Sequence, residues 1–219
     1  MKYKDLIDTV SKLEEEYELT ECIYFGAIEK LKEVQENISK IDDVKHIQRV
    51  IKLFLINWGM MNRVVGRKDL DWKKLGETLR SLEKEFRELR NRKFLTIDFN
   101  ENTISNAIRT IYDRLDPLPY LGSPTTLSKI LHVLNPEIFV MWDNEIVRKY
   151  KRRNFRVNTT AEGYLEFLKD AQKEIKEALN DYQKESGKQL CEIEIDLRNR
   201  CNNRTLARIV DEYNWMITR

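Results

Sequence analysis

Apolar residues recur at spacings of three and four along most of this chain, and charged residues fill the positions between them. Such spacing places the apolar side chains on one face of an α-helix. The pattern therefore predicts an all-α protein. The first face carries Leu6, Val10, Leu13 and Tyr17, the next Ile23, Ala27, Leu31 and Val34, and the last Leu206, Ile209, Val210, Tyr213 and Ile217.

The composition agrees with a helical protein that has a sizeable core. The chain has 219 residues, 35% of them charged, with only 7 Gly and 4 Pro. A chain of this length can bury a core, and few helix breakers favour helices. The formal net charge is only +2, so any attraction for nucleic acid must come from a local patch.

The cysteines and the apolar runs bear on the cellular environment. Cys22, Cys191 and Cys201 contain no C-x-x-C spacing, and their odd number argues against a disulfide framework. No apolar run reaches the roughly 18 residues of a membrane helix, and the first residues lack the apolar stretch of a secretory signal. We expect a cytoplasmic protein that needs no membrane, metal or cofactor.

Local signals predict where individual helices begin and end. The first two apolar faces predict two antiparallel or angled helices, and a third runs from about 44 to 65. Asp71 is a good N-cap for a long helix that ends near 89. Residues 94–99 alternate as a strand does but are read as a connection. Further helices are predicted at 103–115, 124–134 and 160–186, the last ended by Gly187, and 190–198 fits either a strand or a helix.

Residues 118–150 carry the most informative motif. A turn with Gly122 leads to Ser123, a good N-cap, and to Pro124, which suits the first position of a helix. An apolar helix and a loop interrupted by Pro136 follow, and Asp143 then stands before another helix. The helix that begins after Gly122 would present free backbone amides to a phosphate.

This order resembles the helix-hairpin-helix element and following aspartate loop of base-excision DNA glycosylases, of the 8-oxoguanine glycosylase and endonuclease III type. The family pattern Leu-Pro-Gly-hydrophobic-Gly reads here Leu118-Pro119-Tyr120-Leu121-Gly122, and Pro124 occupies the place of the lysine nucleophile in strand-cutting members. The resemblance implies two helical lobes, 1–95 plus 157–219 and 100–156, with the site in a cleft between them. It also implies that Leu121, Gly122, Ser123, Thr125 and Thr126 grip duplex DNA.

The resemblance assigns the chemistry to two residues. Asp143 takes the place of the catalytic carboxylate, which stabilises the positive charge that builds on the sugar when the N-glycosidic bond is cut. Lys129 shares a helix face with Thr125, Thr126 and His132 and is the alternative amine nucleophile, its pKa lowered by burial. The iron–sulfur cluster of some glycosylases needs four closely spaced cysteines, so we expect none here.

A basic segment follows Asp143 directly. It contains no acidic residue, and Tyr150 and Phe155 interleave with its charges as base-stacking aromatics do in single-strand channels. Such a cluster neutralises phosphates. Its cations are Arg148, Lys149, Lys151, Arg152, Arg153 and Arg156, of which Arg148, Lys151, Arg152 and Arg153 are predicted to bind DNA.

Each of these assignments has a structural alternative. Asp143 fits a plain N-cap, His132 a hydrogen-bonded core residue, and Trp58 and Trp142 core anchors. Three functions stay open: a glycosylase that excises a flipped base, with or without lyase activity; a non-catalytic DNA-binding protein on the same scaffold; and a helical protein-interaction module. The sequence does not give the oligomeric state.

Overall fold

The computed structural model of this chain describes residues 1–38, 44–57, 71–116 and 123–219. Within these ranges the chain forms helices joined by turns and contains no strand, which confirms the all-α prediction. The helices are α1 Tyr3–Lys30, α2 Lys32–Glu36, α3 Val44–Asn57, α4 Trp72–Ser81, α5 Glu83–Leu89, α6 Asn102–Leu115, α7 Pro124–Leu134, α8 Asn144–Lys151, α9 Ala161–Ser186, α10 Leu190–Arg200 and α11 Leu206–Ile217.

The first predicted pair of helices is one kinked helix. Helix α1 runs through Tyr17, where the backbone leaves helical geometry (φ −133°, ψ 35°), and the short α2 follows. Leu6, Val10 and Leu13 are buried, but Tyr17 at the kink is 41% exposed. The change of direction was therefore predicted correctly, whereas the buried position of Tyr17 was wrong.

Helix termini agree closely with the capping signals. The Asp71 carboxylate accepts a hydrogen bond from the Lys74 amide at 2.9 Å, and the Thr160 hydroxyl accepts one from the Gly163 amide at 3.2 Å. Gly187 ends α9 in the left-handed conformation with φ 69°, which favours glycine. The helix predicted after Asp71 is broken at Leu82, whose amide bonds to the Leu79 carbonyl in a tight turn.

The two segments with strand-like alternation are not strands. Residues 94–99 form buried turns, and Gln172 Nε2 donates to the Phe94 and Ile97 carbonyls at 2.6 and 2.7 Å, so this segment is the predicted connection. Residues 190–198 lie in α10, where Ile193 and Leu197 are buried. The helical alternative is confirmed for this segment.

One continuous hydrophobic cluster holds these helices together. It includes residues of α1, α6, α7, α9 and α11, that is, of all the segments assigned to the two predicted lobes. Trp142 lies at its centre with its ring centroid 4.8 Å from that of Tyr164 and 5.1 Å from that of Phe167. Trp142 is therefore the predicted core anchor, while the division into two lobes stays a prediction.

Several predicted features lie outside the described residues. These are Trp58, the end of the third helix beyond Asn57, and the turn 117–122 with Tyr120, Leu121 and Gly122. Across the described ranges, no helix combines the length and apolar character that crossing a bilayer requires.

Candidate functional site

Lys129 lies on a helix that is buried almost throughout. Helix α7 begins with Pro124, as predicted, although the Ser123 side chain makes no capping hydrogen bond. Every residue of α7 from Thr126 onward is buried, and Lys129 itself is only 8% exposed. Burial lowers the pKa of the Lys129 amine, and the Asp211 and Asp143 carboxylates oppose that effect. Both carboxylates therefore lie within electrostatic range of this amine.

Asp143 lies at the N-terminus of α8. Its Oδ1 accepts hydrogen bonds from the Glu145 and Ile146 amides, both at 2.9 Å, so the predicted N-cap is confirmed. Its Oδ2 lies 3.7 Å from Nη2 of Arg219, and the side chain is 24% exposed. One oxygen of the carboxylate thus holds the helix, and the other points toward a charged group.

The residues just before Lys129 and Asp143 are bonded to each other. Ser128 Oγ accepts a hydrogen bond from the Trp142 amide at 3.2 Å and lies 3.3 Å from the Trp142 carbonyl, to which it can donate. The Trp142 indole donates to the Pro124 carbonyl at 3.0 Å. These bonds lock the loop before α8 onto α7, so the spatial relation of Lys129 to Asp143 is fixed by the fold.

A buried cluster of charges lies beside this pair, and sequence reasoning missed it. Arg204, just before α11, and Arg208 of α11 both bond to Glu21 of α1, at 2.7 and 2.6 Å. Arg208 also bonds to Asp211 at 2.5 Å and lies 2.8 Å from Oε1 of Glu212. All five side chains are buried. The cluster therefore joins the last helix to the first through buried ion pairs.

Helix α11 contained a signal that would have revealed this cluster. Four of the five residues from Leu206 to Val210 are apolar, which indicates a helix buried on most sides and requires its charged residues to be paired. The amphipathic pattern instead placed Ile217 in the core, where that prediction was wrong because Ile217 is 49% exposed. Arg208, Asp211, Glu212 and Asn214 are buried in its place.

Burial shifts the acidity of the carboxyl groups in this cluster. It raises the pKa of Asp211 to about 7, although the Arg208 guanidinium opposes the shift. Burial likewise raises the pKa of Glu212. Glu212 Oε2 has no hydrogen-bond partner within the described residues. Buried groups with displaced pKa values beside a cleft are typical of functional sites.

A cleft of about 680 Å³ opens above these charges, between α1, the end of α3 and α11. The rings of Tyr17 and Trp215 stand on its wall, 5.5 Å apart and nearly perpendicular. Arg208, Asp211 and Glu212 line it, as does Arg219, the residue that faces Asp143. The lining belongs to segments of one predicted lobe, and Lys129 and Asp143 adjoin it through Asp211 and Arg219.

His132 is a core residue, as its structural alternative predicted. Its Nδ1 lies 2.6 Å from the Phe139 carbonyl and its Nε2 lies 2.9 Å from the Tyr24 hydroxyl. Burial lowers the pKa of His132 to about 3, so the ring is neutral at physiological pH. A neutral ring satisfies both contacts if Nδ1 donates to the carbonyl and Nε2 accepts from the hydroxyl.

The basic segment is partly neutralised by acids that come from outside it. Arg148 pairs with Glu145, and both Arg153 and Lys149 pair with Glu174 of α9. Tyr150 is buried and donates to Glu174 at 2.8 Å, so the hypothesis that its ring stacks on a base is wrong. Lys151, Arg152 and Arg156 are exposed and make no ion pair within the described ranges.

Only some of the residues predicted to contact DNA at the hairpin lie within the described ranges. Ser123 and Thr125 are partly exposed, but Thr126 is buried, with 1% of its surface accessible. Leu121 and Gly122 lie outside the described residues. A described side chain of the hairpin can therefore reach a phosphate only at Ser123 or Thr125.

No family model matches this sequence, and no curated protein or solved structure matches it. Within the described residues, no group of three or more His, Cys, Asp and Glu side chains is arranged to hold a metal ion. Function must therefore be inferred from the residues around Lys129 and Asp143.

Proposed function

We propose that this protein is a DNA glycosylase that excises a flipped, damaged base, with Lys129 as the amine nucleophile and Asp143 as the catalytic carboxylate. One observation carries the proposal: a buried lysine of lowered pKa lies within electrostatic range of an aspartate that faces Arg219, a residue of the cleft wall. Burial disfavours the charged form of an amine, and the neutral amine is the form that acts as a nucleophile.

The chemistry follows from the charges of the two side chains. The Lys129 lone pair attacks C1′ of the nucleotide, and the bond between C1′ and the base nitrogen breaks. The base leaves with the bonding electrons and takes up a proton. Asp143 stabilises the positive charge that develops on the sugar. One proton of the amine goes to the departing base, and the other goes to O4′ as the C1′–O4′ bond breaks and the C1′=N bond of a Schiff base forms on Lys129.

The cleft suits a flipped nucleobase. Its volume of about 680 Å³ lies within the usual range of small-molecule sites. Tyr17 and Trp215 supply aromatic faces, and bases extruded from a duplex are held by such faces and by hydrogen bonds to their edges. Asp211 and Glu212 line the cleft and carry carboxyl oxygens, the kind of acceptor that such bonds need.

Excision from duplex oligonucleotides, each with one damaged base, tests this proposal. Wild-type protein should release at least one of these bases, and Asp143→Asn should lower the rate at least a hundredfold because the charge is lost. Asparagine is also a good N-cap, so the variant should fold. Asp71→Asn makes the same change at the cap of α4 and should leave the rate unchanged. A wild type that excises nothing, or an Asp143→Asn protein as fast as wild type, contradicts the proposal.

The second candidate is a DNA-binding protein that has lost the chemistry. Two observations favour it: Pro124 stands where strand-cutting relatives of the pattern have lysine, and both Asp143 oxygens already face protein groups. Such a protein would bind duplex DNA with a steep salt dependence and excise no base. The same excision panel, run beside a binding assay, separates the two candidates.

A further inference from the structure

A short turn after α8 presents one aromatic ring to solvent. Phe155 and Arg156 are the central residues of this turn, which is closed by a hydrogen bond from the Val157 amide to the Asn154 carbonyl at 3.0 Å. The Asn154 side chain also accepts from the Arg156 amide at 3.1 Å. Phe155 is 80% exposed, the highest exposure of any large hydrophobic side chain in the described residues.

The turn is anchored on both sides to the rest of the protein. Asn154 Nδ2 donates to Asp170 of α9 at 3.0 Å, and the side chain of Val157 is fully buried. Gly163 at the start of α9 lets the chain approach closely, because a Cβ there would overlap the backbone of Asn158. A rigid turn thus keeps Phe155 away from the core, although burial of a phenylalanine side chain is favourable by about 2 kcal/mol.

The charges around this ring are all positive and exposed. Lys151, Arg152 and Arg156 surround Phe155 in sequence, and none of them makes an ion pair within the described part of the chain. The acids nearby are already engaged, since Glu174 pairs with Arg153 and Asp170 bonds to Asn154. The turn therefore combines an apolar ring with exposed cations, which matches the bases and phosphates of a nucleic acid strand.

We propose that Phe155 stacks on an unpaired base of a DNA strand while Lys151, Arg152 and Arg156 bind its phosphates. This inference rests on the DNA-binding part of the proposed function and does not require the cut. Helix α8 connects Asp143 to this turn and spans about 13 Å from Asp143 to Arg152 at 1.5 Å per residue.

A lone ring among cations fits a nucleic acid strand better than a membrane surface. Helices that bind lipid interfaces bury a whole apolar face, whereas α8 directs its apolar residues Ile146 and Tyr150 into the core. In this turn the exposed apolar group is the ring of Phe155, and a single ring can stack on a single base.

Fluorescence anisotropy with a labelled 12-nucleotide single strand and a blunt 20-base-pair duplex tests the inference in the full-length protein. Phe155→Ala should weaken single-strand binding by about five- to a hundredfold, the range for loss of one stacked base. Affinity for the duplex should change by less than about twofold, because a duplex offers no unpaired base. Phe155→Trp should keep the affinity, and Ile195→Ala, which also removes an exposed apolar side chain, should behave as wild type.

Salt dependence separates the ring from the cations. Arg152→Gln should reduce the slope of log affinity against log salt by about 0.7, the value for one phosphate on a single strand. Phe155→Ala should leave that slope unchanged. The inference is overturned if Phe155→Ala binds the single strand as tightly as wild type, or if Ile195→Ala loses as much. Binding to phosphatidylserine vesicles that depends on Phe155, with no such effect on DNA, also overturns it.

This experiment and the excision assay fail independently. If the protein excises no base but Phe155→Ala weakens single-strand binding, the stacking role of Phe155 stands and the glycosylase proposal is contradicted. If the protein excises a base but Phe155→Ala leaves single-strand binding unchanged, the glycosylase proposal stands and the stacking role of Phe155 is contradicted.

Discussion

Arg208 on the last helix donates from Nη2 to Oε1 of Glu21 on the first helix at 2.6 Å, across 187 positions of sequence. The same guanidinium lies 4.6 Å from the centre of the Tyr24 ring. This one side chain joins the ends of the chain beneath the cleft, and its position beside Asp211 brings it close to the proposed catalytic pair. The floor of the site is therefore also a structural element of the fold.

Removal of the Arg208 charge should destabilise the protein strongly. Arg208→Met leaves Glu21 and Asp211 buried without this cation, and breaking a buried ion pair from one side typically costs about 3–5 kcal/mol. Urea denaturation followed by circular dichroism measures the loss. Arg200→Met removes an exposed arginine that pairs with Asp196 at 3.0 Å, and its unfolding midpoint should not shift measurably. Equal losses in the two variants would contradict a buried, water-free cluster.

Asp211 should make stability depend on pH. Burial raises its pKa to about 7 in the folded protein, against an ordinary value of about 3.9 in the unfolded chain. Between these values the folded state holds a proton that the unfolded state has released. The contribution of Asp211 to the free energy of unfolding is therefore complete below about pH 4 and is lost as the pH rises through 7.

Asp211→Asn isolates that contribution. As the pH rises from 5 to 8, the free energy of unfolding of the wild type should fall relative to that of Asp211→Asn. Urea denaturation at several pH values measures it, and other titrating groups largely cancel between the two proteins. A difference that is constant over this range would mean that Asp211 does not titrate there.

His132 should stay neutral where an ordinary histidine titrates. Its pKa is lowered to about 3 by burial, so its ring resonances should not move between pH 5 and 8. The chain has two histidines, and a His46→Gln variant leaves His132 as the only imidazole in the nuclear magnetic resonance spectrum. A midpoint near 6.5 in that variant would refute the buried, hydrogen-bonded ring.

Two glycine substitutions should act in opposite directions. Gly163→Ala places a Cβ against the backbone of Asn158, so the turn that carries Phe155 must shift, at a cost of about 1–3 kcal/mol. Gly26→Ala adds a Cβ with nothing within 4 Å, inside α1. It should stabilise the protein by about 0.5–1 kcal/mol, because alanine loses less entropy in a helix. The midpoints of thermal unfolding compare the two variants. Similar shifts of the midpoint in both would show that the close approach at Asn158 does not affect stability.

Local signals predicted the helix ends, and long-range contacts decided the rest. Asp71 and Asp143 accept from amides two or three residues away, so the sequence reveals these caps. The pairing of Arg208 with Glu21 joins distant segments and has no local signature. For the same reason, the acids that neutralise part of the basic segment were missed, since Glu174 comes from α9.

The site was predictable to the same extent. Lys129 and Asp143 came from one local motif, and the bond between Ser128 and Trp142 fixes their relation. The cleft residues Tyr17 and Trp215 come from opposite ends of the chain. Only the packing of α1 against α11 brings them together, and no local pattern in the sequence reveals that packing.

Trapping with borohydride on duplex DNA that contains a damaged base tests the central claim most directly. Borohydride reduces the Schiff base between the sugar and the attacking amine, and mass spectrometry of the digested adduct identifies the lysine. Lys149 is the matched control, because burial also lowers its pKa, to about 8, and the proposed chemistry gives it no role. If Lys129 is the nucleophile, the adduct forms on Lys129, is retained in the Lys149→Gln protein and is abolished in the Lys129→Gln protein. An adduct that survives in Lys129→Gln, or no adduct in the wild type, contradicts it.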